Sequence, residues 1–186
     1  MRIITGIARG AKLMTLEGDN TRPTPERVKE AVFSMIQFDL EDANFLDLFA
    51  GSGQMGLEAL SRGAAKAHMI DRSPEAAAII RQNAEKTRLS DRASVMTSDA
   101  AEYIRSSKGR CKFDFVFLDP PYGSGLLHDS LAMLSDGKLL NDGAWIFAED
   151  EKNDPFDGDD DLAAKYEVVK ECGYGRVHIT VLKLRG

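Results

Sequence analysis

Three observations predict a Rossmann-like α/β fold built on a mostly parallel sheet. Apolar runs alternate with amphipathic stretches of roughly 9–15 residues from Asn44 onward, which is the pattern of βαβ units with helices on both faces of a sheet. The first run, residues 44–49, ends in a turn holding Gly51, Gly53 and Gly56, so a strand feeds a helix through bare backbone. Finally, residues 166–170 and 176–182 flank Gly173-Tyr174-Gly175, a pattern that predicts a C-terminal antiparallel β-hairpin.

Bulk properties narrow the class. With 186 residues, one domain that buries a real core is expected: a basic extension or hairpin over 1–20, a helix within 21–40 and the sheet from 44 to 186. A chain that is 43% apolar and 29% charged is globular, not disordered. It has no run near the ~20 apolar residues of a membrane span, and its first residues lack the apolar core of a signal peptide. The two cysteines, with no C-x-x-C, and three scattered histidines predict neither a disulfide framework nor a metal site. A reducing cytoplasm fits. The net charge of −6 argues against a general nucleic-acid binder, but the charge is uneven. Arg2, Arg9 and Lys12 stand in a stretch without acids, whereas eight carboxylates crowd residues 149–161 against Lys152 alone. That acidic run is expected to be a solvated loop.

The elements follow in order. Arg2-Ile3-Ile4 and Lys12-Leu13 read as short extended segments around a turn near Arg9-Gly10. Residues 20–25 hold two prolines and are not helical. Thr24 is the expected N-cap, with Pro25 in the first turn. Val28, Ala31, Val32, Met35 and Ile36 make the buried stripe of the next helix, leaving Arg27 and Lys29 toward solvent or a ligand. Helix 54–62 stops at Gly63. Strand 67–70 closes on Asp71, and Ser73-Pro74 starts a helix with Ala76, Ile80, Asn83, Ala84 and Thr87 on one side. A weaker strand, 93–96, ends near Asp99; a helix over 100–106 leads to the apolar strand 113–118. Helix 126–134 buries Leu127, Ser130, Leu131 and Leu134. Asn141-Asp142-Gly143 is read as a turn into strand 144–148.

Rossmann-type sheets bind ligands outside the carboxyl ends of their strands. The glycine turn, Asp71, Asp99 and Asp119 all fall at such ends and are expected to converge. Gly51, Gly53 and Gly56 match G-x-G-x-x-G, with Asp71 twenty positions after Gly51, a nucleotide-cofactor pattern. Asp71 suits ribose hydroxyls and Asp99 an adenine amino group. Asp47, inside its strand, needs a partner because a lone buried carboxylate is costly; a cofactor ammonium would serve. The sharpest signal is Asp119-Pro120-Pro121-Tyr122 at the end of the fourth strand. A base's exocyclic amino group is a poor nucleophile because its lone pair is delocalised into the ring. The Asp119 carboxylate and a proline-stiffened Pro120 carbonyl can accept its two N–H bonds and aim the lone pair. Tyr122 offers a ring for stacking, once the base has left its own stack.

Asp119-Pro120-Pro121-Tyr122 resembles the catalytic motif of S-adenosylmethionine-dependent amino-methyltransferases, and Asp47-Leu48-Phe49-Ala50-Gly51-Ser52-Gly53 resembles their cofactor motif. Met1-Arg2-Ile3-Ile4 with Gly6, Asn20-Thr21-Arg22-Pro23-Thr24, Arg27-Val28-Lys29-Glu30-Ala31-Val32-Phe33 and Gly56-Leu57-Glu58-Ala59-Leu60-Ser61-Arg62-Gly63-Ala64 are similar to the RsmD-type methyltransferases, over nearly the whole chain. The resemblance implies methylation of a guanine N2 in small-subunit (16S) ribosomal RNA, by one in-line displacement. It implies cofactor contacts from Asp47, Phe49, Ala50, Gly51, Ser52 and Gly53. Asp71, Arg72, Asp99 and Ala100 complete that set. Gly51 and Gly53 would let the cofactor approach the backbone, and Gly56 would pack helix on sheet. Arg2, Arg9 and Lys12 are phosphate candidates, and Arg22 is a candidate for a phosphate, the cofactor carboxylate or hairpin packing. An acidic enzyme suits RNA already covered by basic proteins, so a partly or fully assembled small ribosomal subunit is the expected partner, with no membrane and no metal.

Two alternatives use the same residues: a DNA adenine or cytosine amino-methyltransferase, and an NAD-dependent oxidoreductase. The first leaves no segment for a sequence-reading domain, and the second leaves the D-P-P-Y motif and the hairpin without a job. An RNA-binding module without catalysis is disfavoured because every expected catalytic side chain is present.

Overall fold

The computed structural model describes residues 1–16 and 24–186, and the chain starts as a narrow arm. Arg2 and Lys12 form an antiparallel bridge, closed by Ile3 N–H to Ala11 O (3.0 Å) and Gly10 N–H to Ile3 O (2.9 Å). Arg22, and most of the extended stretch expected around it, lie outside the described residues. Helix α1, Glu26–Met35, follows. The cap expected at Thr24 falls instead on Pro25, with no side-chain hydrogen bond; the Pro25 carbonyl accepts from Val28 and Lys29 N–H. Val28 and Val32 line the buried stripe as expected, but Lys29 does not face outward. It is fully buried, drawn in by Glu58 (3.4 Å) and the Arg2 carbonyl (2.6 Å).

Two compact units follow from the packing, Met1–Asp99 and Ala100–Gly186. In the first, β1 (Asn44–Asp47), α2 (Gln54–Ser61), β2 (Lys66–Asp71), α3 (Pro74–Lys86) and β3 (Ala93–Thr97) run in order, with a 3-10 turn at Ser90–Arg92. The strands lie β3-β2-β1 and are parallel in both pairs, so they end on the same side. β1 stops at Asp47 rather than Phe49, because Leu48 and Phe49 already turn toward the glycines. Ser73 caps α3 through its side chain, accepting from Ala76 N–H, with Pro74 in the first turn as its fixed φ favours. All eight residues of α2 are buried, which is the burial of a helix packed on every side. Its polar members therefore need partners.

The second unit holds α4 (Ala100–Ser107), β4 (Phe113–Leu118), α5 (Leu126–Leu134), β5 (Leu140–Asp150), α6 (Asp160–Ala163), β6 (Tyr166–Tyr174) and β7 (Val177–Leu184). Its strand order is β4-β5-β7-β6, parallel for β4 and β5 and antiparallel for the closing hairpin. Asn141-Asp142-Gly143 is a bulge inside β5 and not a turn before it. The register moves from Phe113↔Leu140 to Phe115↔Trp145, and Asn141 Nδ2 is held by Asp114 (2.7 Å). The hairpin turn likewise falls at Gly175-Arg176, since Tyr174 pairs with Val177; the positive φ of Gly175 suits such a two-residue loop.

The acidic run is not simply a solvated loop. Asp150 accepts from Asn153 and Asp154 N–H, both at 2.8 Å. Asp159 caps α6 through Leu162 N–H (2.9 Å) and meets His128 Nε2 at 3.0 Å. Phe156 and Leu162 are buried between these acids, and Phe156 stacks on Tyr166. No helix among the described residues is long and apolar enough to cross a membrane.

Candidate active site

The turn after β1 is braced by two carboxylates. Asp47, 2% exposed, accepts from the backbone N–H groups of Gly56 and Phe49. The N-cap of α2 is Gly53, which has no side chain to cap with, so Asp47 satisfies a first-turn donor from the neighbouring strand. Burial pushes the Asp47 carboxyl up from 3.8 to about 7, the two amides resist this, and nearby Asp71 adds to it. The partner expected from a cofactor ammonium is thus already supplied in part by backbone amides. Asp71, at the end of β2, accepts from Gly51 N–H (2.9 Å) and Ser73 N–H (2.9 Å). Each of its oxygens keeps a second lone pair, enough for a ribose hydroxyl.

The three glycines do different work. Gly51 has a φ of +54°, and a Cβ placed there meets nothing within 4 Å, so its backbone is open to a ligand. At Gly53 a Cβ would press on Ile80 (3.0 Å) and the Met69 sulfur (3.2 Å). At Gly56 it would overlap Met69 Cγ at 2.5 Å. Gly53 and Gly56 are therefore packing glycines, and open approach belongs to Gly51. Phe49 and Gly51 are half-buried and Ala50 and Ser52 buried; Ala50 N–H is tied to Ile70 O (2.8 Å). Arg72 and Asp99 are exposed beyond β2 and β3, and Ala100 is buried at the start of α4.

Two residues that hold the N-terminal arm were not singled out by the motifs. Glu58, buried on α2, receives Ile4 N–H (2.8 Å) on one oxygen and Thr5 N–H (3.0 Å) on the other, and also pairs with Lys29 and Arg62. Ser61 joins it, accepting from Ala8 N–H and donating to Thr5 O. Gly6 sits so close to α2 that a Cβ would fall 1.8 Å from the Ser61 carbonyl oxygen. The arm is thereby seated on α2. The available signal was an acid inside the apolar run Met55-Gly56-Leu57-Glu58-Ala59-Leu60. The second residue, Asn83, was visible only as one position of a buried stripe. Of the arm cations, Arg2 is engaged by Glu26 (3.2 Å), while Arg9 and Lys12 are exposed.

In the second unit, Asp119-Pro120-Pro121-Tyr122 begins directly where β4 ends at Leu118. Asp119 and Tyr122 are half-buried, Pro120 buried and Pro121 exposed. Ser124 closes the turn, its hydroxyl donating to Pro121 O (2.6 Å). The Tyr122 hydroxyl donates to Glu149 Oε1 at 3.1 Å. Glu149 is buried and follows Ala148, which pairs with Leu118 in the parallel register; the end of β5 therefore comes level with the start of the motif. Sequence reasoning placed Glu149 in the acidic run and missed this role. A carboxylate, a proline carbonyl and an anchored aromatic ring form a set of acceptors and a flat surface suited to an amino-bearing base.

These elements define a Rossmann-like methyltransferase. Solved structures agree in fold: yhhF of Escherichia coli, a candidate methyltransferase by its description, matches with TM-score 0.86 at 32% identity, over 99% of this chain and 97% of that one. A candidate methylase from Haemophilus influenzae matches with TM-score 0.80 at 30% identity, over 97% and 96%. A family model described as "Conserved hypothetical protein 95" matches residues 1–183. The ribosomal RNA small subunit methyltransferase D of Haemophilus influenzae is 35% identical over 83% of this chain and 81% of its own length. The protein of that name from Escherichia coli is 39% identical over 81% and 75%. The chain belongs to this family, the RsmD-type methyltransferases.

Proposed function

We propose that the protein transfers a methyl group from S-adenosylmethionine to the exocyclic N2 of a guanine in small-subunit ribosomal RNA. The observation that carries this is Asp119-Pro120-Pro121-Tyr122 at the end of β4 in a chain of this family. S-adenosylmethionine supplies an electrophilic methyl on a sulfonium. The loop after β1 fits it: Gly51 offers open backbone, and Asp71 is held by two amides with acceptor capacity to spare. Asp47, raised to about 7, is a carboxyl that a cationic ammonium would return to its charged form.

Asp119 and the Pro120 carbonyl accept the two N–H bonds of the guanine amino group, which turns its lone pair outward. The Tyr122 ring, tethered by Glu149, stacks on the base. Acceptors fixed before the reaction need no reorganisation as positive charge develops on nitrogen, and that charge is cleared when one of the two N–H protons passes to the Asp119 carboxylate. Exposed Arg9 and Lys12 are the phosphate contacts, and a particle whose RNA is partly covered by basic proteins is the substrate that suits a chain of charge −6. To test this, labelled S-adenosylmethionine is offered with naked ribosomal RNA, small-subunit particles and DNA, and the modified nucleoside is identified by digestion and mass spectrometry. N2-methylguanine in the particle is expected; N6-methyladenine, or label in DNA alone, overturns the assignment.

A further inference from the structure

We infer that Asn83 is a positioning residue that couples occupation of the cofactor loop to the seating of the N-terminal arm; this rests on the S-adenosylmethionine role proposed for that loop. Asn83 lies on α3 and is wholly buried. Its Oδ1 accepts from Met14 N–H at 2.8 Å. Its Nδ2 donates to Met14 O and to Ser52 O, both at 3.0 Å. One amide thus holds the end of the arm from both sides and the carbonyl of the loop residue after Gly51. The same loop residue reaches the other end of the arm, where the Ser52 hydroxyl meets the Met1 sulfur at 3.1 Å. Leu13 N–H to Met1 O (3.1 Å) joins the two ends. Ser52, Asn83, Met14, Leu13 and Met1 form a ring closed by these hydrogen bonds and the Leu13–Met14 peptide bond.

A buried amide left without its partners is costly, so a shift of the Ser52 carbonyl must carry Asn83 along or break the ring. A ligand that favours one arrangement of the loop therefore favours one arrangement of the arm, and by linkage the reverse holds. The arm presents Arg9 and Lys12, so RNA held there tightens the cofactor and the cofactor tightens RNA. Glu58 and Ser61 grip the middle of the arm independently of the loop, so losing Asn83 loosens its paired ends, around Ile3 and Leu13, and leaves the middle seated.

Hydrogen exchange on the whole protein, with S-adenosylhomocysteine as the probe, separates this coupling from mere packing. In the parent protein the probe slows exchange at the Ile3 and Leu13 amides by about 5-fold or more. In Asn83→Ala the probe still binds, but its slowing at those amides shrinks to under about 2-fold, the part that the Ser52–Met1 contact carries. A purely structural asparagine would lower protection in both states and leave the ratio intact, which overturns the inference. Should Asn83→Ala not fold, Met14→Pro removes the arm's N–H and leaves the loop side whole. Asn83 Nδ2 still reaches the carbonyl at position 14, so a reduced ratio at Ile3 is expected, and an unchanged ratio overturns the inference. A parent that binds the probe without slowing either amide overturns the coupling alone; a parent that binds no probe overturns the cofactor assignment with it.

Discussion

The turn after β1 and the turn after β4 both leave a parallel strand, yet they are made rigid by opposite means. The first is open at Gly51 and gains its stiffness from side chains elsewhere: Asp47 from its strand, Asp71 from the next strand and Asn83 from α3. The second carries stiffness in its own covalent structure through Pro120 and Pro121, with Ser124 and Glu149 completing it. Bare backbone that must admit a ligand has no side chains of its own to brace it, so neighbours do so. Acceptors with the role proposed for Asp119 and Pro120 are best held by rings that fix φ.

The largest effect that separates the two turns is on turnover. Asp119→Ala is expected to lower methyl transfer by about 100- to 1000-fold, the usual cost of losing one aimed polar group, while S-adenosylhomocysteine affinity by calorimetry stays within about 2-fold because the loop is untouched. Equal losses in both quantities would erase the division of labour.

Next comes the charge buried beneath the first turn. The folded-state pKa of Asp47 lies above its ordinary value, so the folded protein binds more protons than the unfolded one between about pH 4 and pH 7. This contribution to stability is fully present below that window and is lost as pH rises through about 7, by a few kcal/mol. Asp47→Asn is expected to flatten that decline, measured as denaturation midpoints against pH. An unchanged slope would mean that Asp47 is not the group that titrates.

Packing beneath the same turn gives a smaller signal. Gly56→Ala drives a methyl into Met69 and should cost about 1–3 kcal/mol of stability by urea unfolding, whereas Pro121→Ala in the second turn, at an exposed position, should cost under about 1 kcal/mol. The smallest change tests the tether. Tyr122→Phe keeps the ring and loses its bond to Glu149, and kcat/KM for RNA is expected to fall about 3- to 10-fold, as for the net worth of one ordinary hydrogen bond. A double-mutant cycle with Glu149→Gln should show the two changes to be non-additive.

Much of this was legible from residue order. The glycine turn, Asp71 at the end of β2 and the D-P-P-Y motif after β4 stand where periodicity and turn chemistry placed them, and the closing hairpin is present with its turn shifted to Gly175-Arg176. Lys29 was misjudged as outward-facing because the residue that draws it inward, Glu58, is on another helix. Glu149 looked like one of many acids, and its tether to Tyr122 exists because β5 lies beside β4 in parallel register. The bulge in β5 escaped notice because Asn141-Asp142-Gly143 has the composition of a turn, and only pairing with Asp114 keeps it within the strand.

Local rules therefore settled what depends on near neighbours: where strands and helices start, which turns need glycine or proline, and where the D-P-P-Y motif leaves its strand. They acted through φ preferences, apolar periodicity and short-range capping, all of which are written in consecutive residues. The fold alone decided which glycine stays open, which buried charges meet, and that one asparagine ties the arm to the loop after β1. Those outcomes depend on contacts between residues tens of positions apart, such as Ser52, Asn83 and Met14, and no periodicity along the chain encodes such a meeting.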